Sequence, residues 1–317
     1  MKYEFQSRFT KHINNLLEHR EVMGRETADY QKHLKNFDQF CLKNYPSETV
    51  LTQEITFAWC NDAQGNGASG TKRACILRNL ARYLALSGEQ AFIMPQMFFP
   101  TPKAAPPYIF TDIELENFFR ATDRYRLYRN PLLEYTVPVI FRLQYACGMR
   151  PQEVRKLRCI DFNFTENTVY IAEGKHSKDR KLAVDANTME LCKKYNLIAN
   201  ALIPGRTFFF QSPSGGAYSN SWLSQTFHKC WDMGGNGNER GICVPYDLRH
   251  NYASRTLMRW LEEGKDLNAW VPYLSAYMGH SSFKATFYYI HLLPERLANT
   301  GLTCLDGILP EVRYEEE

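Results

Sequence analysis

Four places in this chain of 317 residues carry side chains that could do chemistry. The run Gly279-His280-Ser281-Ser282 sets an imidazole and two hydroxyls beside the expected start of a short helix, and Tyr288-Tyr289 follow after a gap that one helical segment spans. Such a helix start suits an anion, because its unpaired N–H groups and dipole point outward. Upstream, Gly148 interrupts a helical pattern and Pro151 fits the first turn of a new helix, which puts Arg150 at a helix mouth. Lys175 stands in the polar stretch Gly174 to Arg180 between two strand-like runs. Tyr246 and Arg249, three residues apart at a helix start, share a face. Taken singly, each has an ordinary reading as a packed His or Tyr or an exposed loop Lys.

Taken together they offer cations, an imidazole and a phenol. The sequence has no matching set of clustered carboxylates, no Walker-type Gly-Lys-Ser/Thr loop and no Gly-x-Ser-x-Gly elbow. That combination favours metal-free chemistry at an anionic centre. Two guanidinium forks can hold the non-bridging oxygens of a phosphodiester as charge builds in a five-coordinate transition state. A tyrosine can be the nucleophile if a neighbour takes its proton or cations stabilise its oxyanion, since its free pKa is about 10. A lysine on a hairpin could protonate the leaving deoxyribose oxygen.

The elements that must position these groups are mostly helical. Apolar stripes run through Ile13, Leu16 and Leu17, through Leu34, Phe37, Phe40 and Cys41, and through Ile76, Leu77, Leu80 and Leu84, so residues 1–94 are expected to form a helical unit. Thr52 is a candidate N-cap for a segment carrying Ile55 and Trp59. Pro95, Pro100, Pro102, Pro106 and Pro107 make residues 95–107 an expected extended linker. Residues 108–317 then form the second domain. It opens with a cap at Thr111-Asp112-Ile113-Glu114 and a stripe of Val137, Ile140, Phe141 and Tyr145. The period changes after Asp161. Phe162 to Phe164, Thr168 to Ala172 and Lys181 to Val184 read as strands of a small antiparallel sheet. Helices resume over Thr188 to Tyr195, Ser219 to Trp231 and from Pro245 onward. The fold class is therefore mainly α with a small antiparallel β-sheet, in two domains.

Composition is ordinary for a globular chain. A formal net charge of +4 and a pI near 8.5 allow nucleic-acid binding without requiring it. Lys72 and Arg73, with Lys32, Lys35, Lys43, Arg78 and Arg82, could form either a phosphate-facing surface or a solvated helix face. Nine cysteines have no zinc-ligand spacing, and no signal peptide or membrane-spanning run is evident. A reduced, cytoplasmic protein is expected.

The four places also carry a resemblance. Gly148-Met149-Arg150-Pro151-Gln152-Glu153-Val154, Gly174-Lys175 with Lys178-Asp179-Arg180, Leu248-Arg249-His250-Asn251-Tyr252-Ala253-Ser254, and Met278-Gly279-His280-Ser281-Ser282 with Tyr289-Ile290-His291 follow one another in order. The sequence resembles the tyrosine recombinases of the phage-integrase family over residues 108 to about 300. The N-terminal unit occupies the place of that family's core-binding domain. The resemblance implies that Arg150 and Arg249 clamp a scissile phosphate, Lys175 protonates the 5′ oxygen, and His280 bonds the phosphate or assists the nucleophile. It implies Glu153 as a supporting residue and Tyr289 as the nucleophile forming a 3′-phosphotyrosine, with no cofactor, metal or ATP. Lys72, Arg73, Lys178 and Arg180 are the expected DNA contacts. The implied partners are double-stranded DNA with a specific core site and three further protomers exchanging strands through a Holliday junction; an accessory protein setting direction is an option that the sequence does not decide.

One departure stands out. The family usually has histidine three residues before the second arginine, and this chain has Tyr246, which can donate to a phosphate oxygen but cannot act as an imidazole base near neutral pH. A type IB topoisomerase or telomere-resolving enzyme with the same chemistry, and a catalytically silent DNA-binding protein on this fold, are the competing readings. Tyr288 is the competing nucleophile, with packing its ordinary role.

Overall fold

A computed structural model describes residues 3–25, 27–62, 67–100, 106–128, 130–172, 179–237, 242–280 and Tyr289. The chain divides into two compact units, Met1–Ala105 and Pro106–Glu317.

The first unit is built from α1 (Thr10–Val22), α2 (Ala28–Asn44), α3 (Gln53–Asn61) and α4 (Gly67–Leu86). Their apolar stripes meet in one core of Phe9, Ile13, Leu34, Phe37, Trp59, Leu77 and Leu80, all with essentially no exposure. Thr52 caps α3 as expected, its Oγ1 accepting from the Ile55 N–H at 3.3 Å. A buried carboxylate ties down the chain before α1: Asp38 accepts from the Tyr3 hydroxyl at 3.0 Å and from the N–H groups of Gln6 and Ser7. The expected extended linker begins as packed chain. Arg78 is buried and donates to the carbonyls of Met94, Pro95 and Phe98, which draws residues 95–100 onto α4. Arg78 is thus a framework residue of this unit.

The second unit contains α5 (Asp112–Arg124), α6 (Leu133–Ala146), α7 (Pro151–Lys156), β1 (Phe162–Asn163), β2 (Thr168–Ile171), β3 (Arg180–Ala183), α8 (Ala186–Leu202), α9 (Asn220–Met233), α10 (Asp247–Glu262) and α11 (Leu267–Met278). The sheet is antiparallel in the order β1-β2-β3, with Phe162 opposite Val169 and Val169 opposite Leu182. Thr111 and Glu114 form a reciprocal capping box on α5. Phe118 of α5, Phe141 of α6 and Phe227 and Trp231 of α9 interlock in the core, with the Phe118 and Phe227 centroids 4.8 Å apart.

Two helices exceed the sequence expectation. Asp185 caps α8 by accepting from the Thr188 N–H at 3.0 Å, and the helix runs to Leu202 rather than Tyr195. In α11, Pro272 sits at the sixth helical position, where its missing N–H costs one intrahelical bond without ending the helix. Trp270 and Tyr273 lie on its outer face, Tyr273 mostly exposed. Among the described residues no helix is long and apolar enough to cross a membrane. The short helix expected after His291 lies outside the described residues.

Candidate active site

Glu153 is the centre of a cationic cluster. Pro151 starts α7, and the Glu153 carboxylate turns back to accept from the Arg150 N–H at 2.8 Å. The same carboxylate takes Arg150 Nη1 at 2.6 Å and both terminal nitrogens of Arg180, at 2.9 and 2.8 Å. Arg249 Nη1 stands 3.9 Å away. The carboxyl is buried, which alone would raise its pKa, but Arg180 and then Arg150 prevail and hold it at about 2. One fixed negative charge therefore organises three guanidinium groups, and the pocket keeps a net positive charge.

Arg249 lies on the first turn of α10 with no exposed surface. Its Nη1 donates to the Gly148 carbonyl at 2.8 Å and its Nη2 to the Met278 carbonyl at 2.6 Å. Arg150 Nη2 donates to the Gly279 carbonyl at 2.7 Å. These bonds join the turn before α7, the start of α10 and the end of α11. Both glycines are required by geometry. Gly148 has φ +57°, and a Cβ there would lie 2.4 Å from the Tyr252 ring; Gly279 has φ +66°, and a Cβ there would lie 2.9 Å from Arg180 Nη1. Gly279 ends α11 in a left-handed cap, with the His280 N–H returning to the Ser275 carbonyl at 3.0 Å. His280 thus follows a helix C-terminus, and the anion-binding helix start expected from Ser281 onward lies outside the described residues.

Tyr289 is buried beside two imidazoles. Its hydroxyl is 2.9 Å from His250 Nδ1, and its ring stacks near that of His280 at a centroid distance of 6.1 Å. Burial pushes the phenol up to about 12, with Arg249 acting in the opposite sense. Burial, aided by Arg249, lowers His250 to about 4, and burial with Arg249 and Arg150 lowers His280 to about 3. Both imidazoles are neutral at pH 7, so either can accept a proton or a hydrogen bond. Burial and the neighbouring Arg150 depress Arg249 as well. The arrangement can receive an anion and present a phenol to it. Among the described residues, no group of three or more His, Cys, Asp or Glu could share a metal ion.

The structure brings together Arg150, Glu153, Arg249, His280 and Tyr289. Tyr246 lies at the edge, partly exposed, its ring 4.9 Å from that of His250. Lys175, Lys178 and Tyr288 lie outside the described residues. Arg180, expected on a DNA-facing tip, instead points inward from β3 to Glu153 and to the Tyr277 carbonyl at 2.8 Å. Strand alternation carried that signal: Arg180 shares a face with Leu182, which is wholly buried. Lys72 pairs with Asp29 at 2.6 Å, and Arg73 donates to the Trp59 carbonyl at 2.6 Å and is largely covered. His250 is the group that sequence reading passed over, although it lies one turn from Tyr246 on the same face of α10.

A model of the phage integrase family matches residues 112–296, more than half of the chain. The chain belongs to this family. Its relatives in the family of tyrosine recombinases include y4rB of Sinorhizobium fredii, which carries the name integrase/recombinase and is 26% identical over 302 residues, covering 91% of this chain and 94% of that protein. Tyrosine recombinase XerC of Alcanivorax borkumensis is 26% identical over 183 residues, 56% of this chain and 53% of XerC. The fold is similar to that of XerH in its pre-cleavage complex with difH substrate, with TM-score 0.62 at 19% identity over 91% of this chain and 83% of that one. It is also similar to lambda integrase in a tetramer bound to a Holliday junction, with TM-score 0.59 at 13% identity over 88% and 76%. The chain is an enzyme of the tyrosine recombinase class, and its mainly helical fold with a small antiparallel sheet is the fold expected from the sequence.

Proposed function

We propose that this enzyme cuts and rejoins double-stranded DNA at a specific core site through a 3′-phosphotyrosine intermediate. The observation that carries the reading is that Arg150 and Arg249, from distant segments, meet at Glu153 and both act electrostatically on the buried Tyr289 phenol. Arg249 strengthens it: its Nε has no hydrogen-bond partner among the described residues although the side chain is wholly buried. An unpaired charged donor of this kind is costly, and a phosphate oxygen would satisfy it.

In this scheme Arg150 and Arg249 hold the non-bridging oxygens of the scissile phosphate, Glu153 and Arg180 fix the arginines, and His280 and the Tyr246 hydroxyl donate to the same group. Tyr289 Oη attacks phosphorus, and Lys175 delivers a proton to the departing 5′ oxygen. The phosphotyrosine bond retains the energy of the phosphodiester, so resealing by a 5′ hydroxyl needs neither ATP nor metal. Association of four protomers on paired sites would allow strand exchange, the kind of assembly in which lambda integrase, a protein of similar fold, is seen as a tetramer bound to a Holliday junction.

The test begins with fragmented DNA of the source genome. Detergent-resistant protein–DNA complexes are captured, and the attached ends are sequenced to define the site. A nicked duplex carrying that site should then trap a covalent complex through its 3′ phosphate, and Tyr289→Phe should trap none. Binding of the site with no complex from the parent protein would favour a silent DNA-binding protein. Relaxation of supercoiled DNA without exchange between two labelled duplexes would favour topoisomerase-like chemistry.

A further inference from the structure

We infer that His250 is the base that takes the proton from Tyr289 in the cleavage step, a role that Tyr246 cannot fill. This rests on the reading of Tyr289 as the nucleophile. Three observations support it. His250 Nδ1 lies 2.9 Å from Tyr289 Oη, within direct proton-transfer distance. His250 stands four residues after Tyr246 on α10, so it presents an imidazole one helical turn from the position where a phenol stands, and their rings are 4.9 Å apart. The ring is held neutral by burial and by the Arg249 charge, which leaves it able to accept.

The proton balance is closed. The Tyr289 O–H bond breaks as the Oη–P bond forms, and the proton goes to His250 Nδ1. The P–O5′ bond breaks, and the 5′ oxygen takes a proton from Lys175. On resealing, the incoming 5′ hydroxyl returns its proton to Lys175 as the P–O5′ bond forms, and His250 returns its proton to the Tyr289 oxygen as the Oη–P bond breaks. A fully formed phenolate is out of reach beforehand, because burial raises the phenol while it lowers the imidazole. The transfer therefore accompanies bond formation at phosphorus. The incoming phosphate makes it easier, since its negative charge offsets the Arg249 charge that disfavours a protonated His250.

The experiment uses the full-length protein and the nicked duplex defined above. His250→Asn keeps a hydrogen-bonding atom near the Nδ1 position but has no useful basicity. It should bind the duplex like the parent and form covalent complex roughly 100- to 10,000-fold more slowly, the range typical of a lost general base. Replacing Tyr289 by a fluorotyrosine, a more acidic phenol, should raise the rate of His250→Asn by a much larger factor than it alters that of the parent. A role limited to holding the ring would show no such rescue. Cleavage by His250→Asn at the parental rate overturns the assignment while leaving Tyr289 as nucleophile. A slow His250→Asn that fluorotyrosine fails to rescue also overturns it. Absence of covalent complex from the parent itself removes the nucleophile and the base together.

Discussion

Replacing Glu153 with Gln is the sharpest test of how the cationic cluster is held. Gln is close in shape to the protonated acid, so the substitution has an energetic measure in the acid's own titration. Lowering of the carboxyl from 4.5 to about 2 corresponds to about 3 kcal/mol of stabilisation at neutral pH. This agrees with the roughly 3–5 kcal/mol lost when one partner of a buried ion pair is removed. Because the folded-state value lies below the unfolded one, the contribution is fully present above pH 4.5 and disappears as pH falls through about 2. The gap between parent and Glu153→Gln should therefore be about 3 kcal/mol at pH 7 and about 2 kcal/mol at pH 3.5. Urea unfolding followed by tryptophan fluorescence would measure it, since Trp222, Trp231, Trp260 and Trp270 all belong to the second unit. A gap below about 1 kcal/mol at pH 7, or one that does not narrow on acidification, would refute the view that this carboxylate organises three arginines.

Two further outcomes are expected. Tyr246→Phe should leave the unfolding midpoint nearly unchanged, because the ring sits at the edge of the pocket, yet slow covalent-complex formation roughly 10- to 100-fold, the equivalent of one hydrogen bond to a charged group; unchanged trapping would show that its hydroxyl does not meet the phosphate. Gly148→Ala should cost about 3 kcal/mol, from a left-handed backbone and a Cβ placed against Tyr252, and a folded protein of parental stability by thermal melting would contradict the geometry.

The helices were legible where an apolar stripe and a cap coincide. Thr52 and Ser219 each precede a periodic segment and each accept from a backbone N–H three residues on. Where one signal is missing, sequence reading falls short: Pro272 hid α11, and residues 95–100 look like free linker because nothing in their own composition reports the Arg78 side chain that binds them. The same division runs through the site. Resemblance to the family's motifs singled out Arg150, Glu153, Arg249, His280 and Tyr289, and Gly148 and Gly279 mark the local turns beside Arg150 and His280. Sequence reading misplaced Arg180 and omitted His250, because their roles depend on which distant atoms they face. Asp247 and Asn251 make the same point. Within the Tyr246 to Tyr252 run they serve the fold, Asn251 bonding the main chain of Tyr108 and Phe110 and Asp247 accepting from the N–H groups of Tyr108 and Val244.

The bonds from Arg249 to the carbonyls of Gly148 and Met278 bear on the choice of inactive controls for any study of this enzyme. Truncating Arg249 would unlatch the chain on both sides of the pocket, so loss of activity in such a variant would be inseparable from loss of shape. Tyr289→Phe removes a single oxygen and leaves the ring in place. An inert protein that still occupies DNA, useful as a competitor or as a crystallisation partner for uncut substrate, should therefore be made at the phenol and never at the guanidinium.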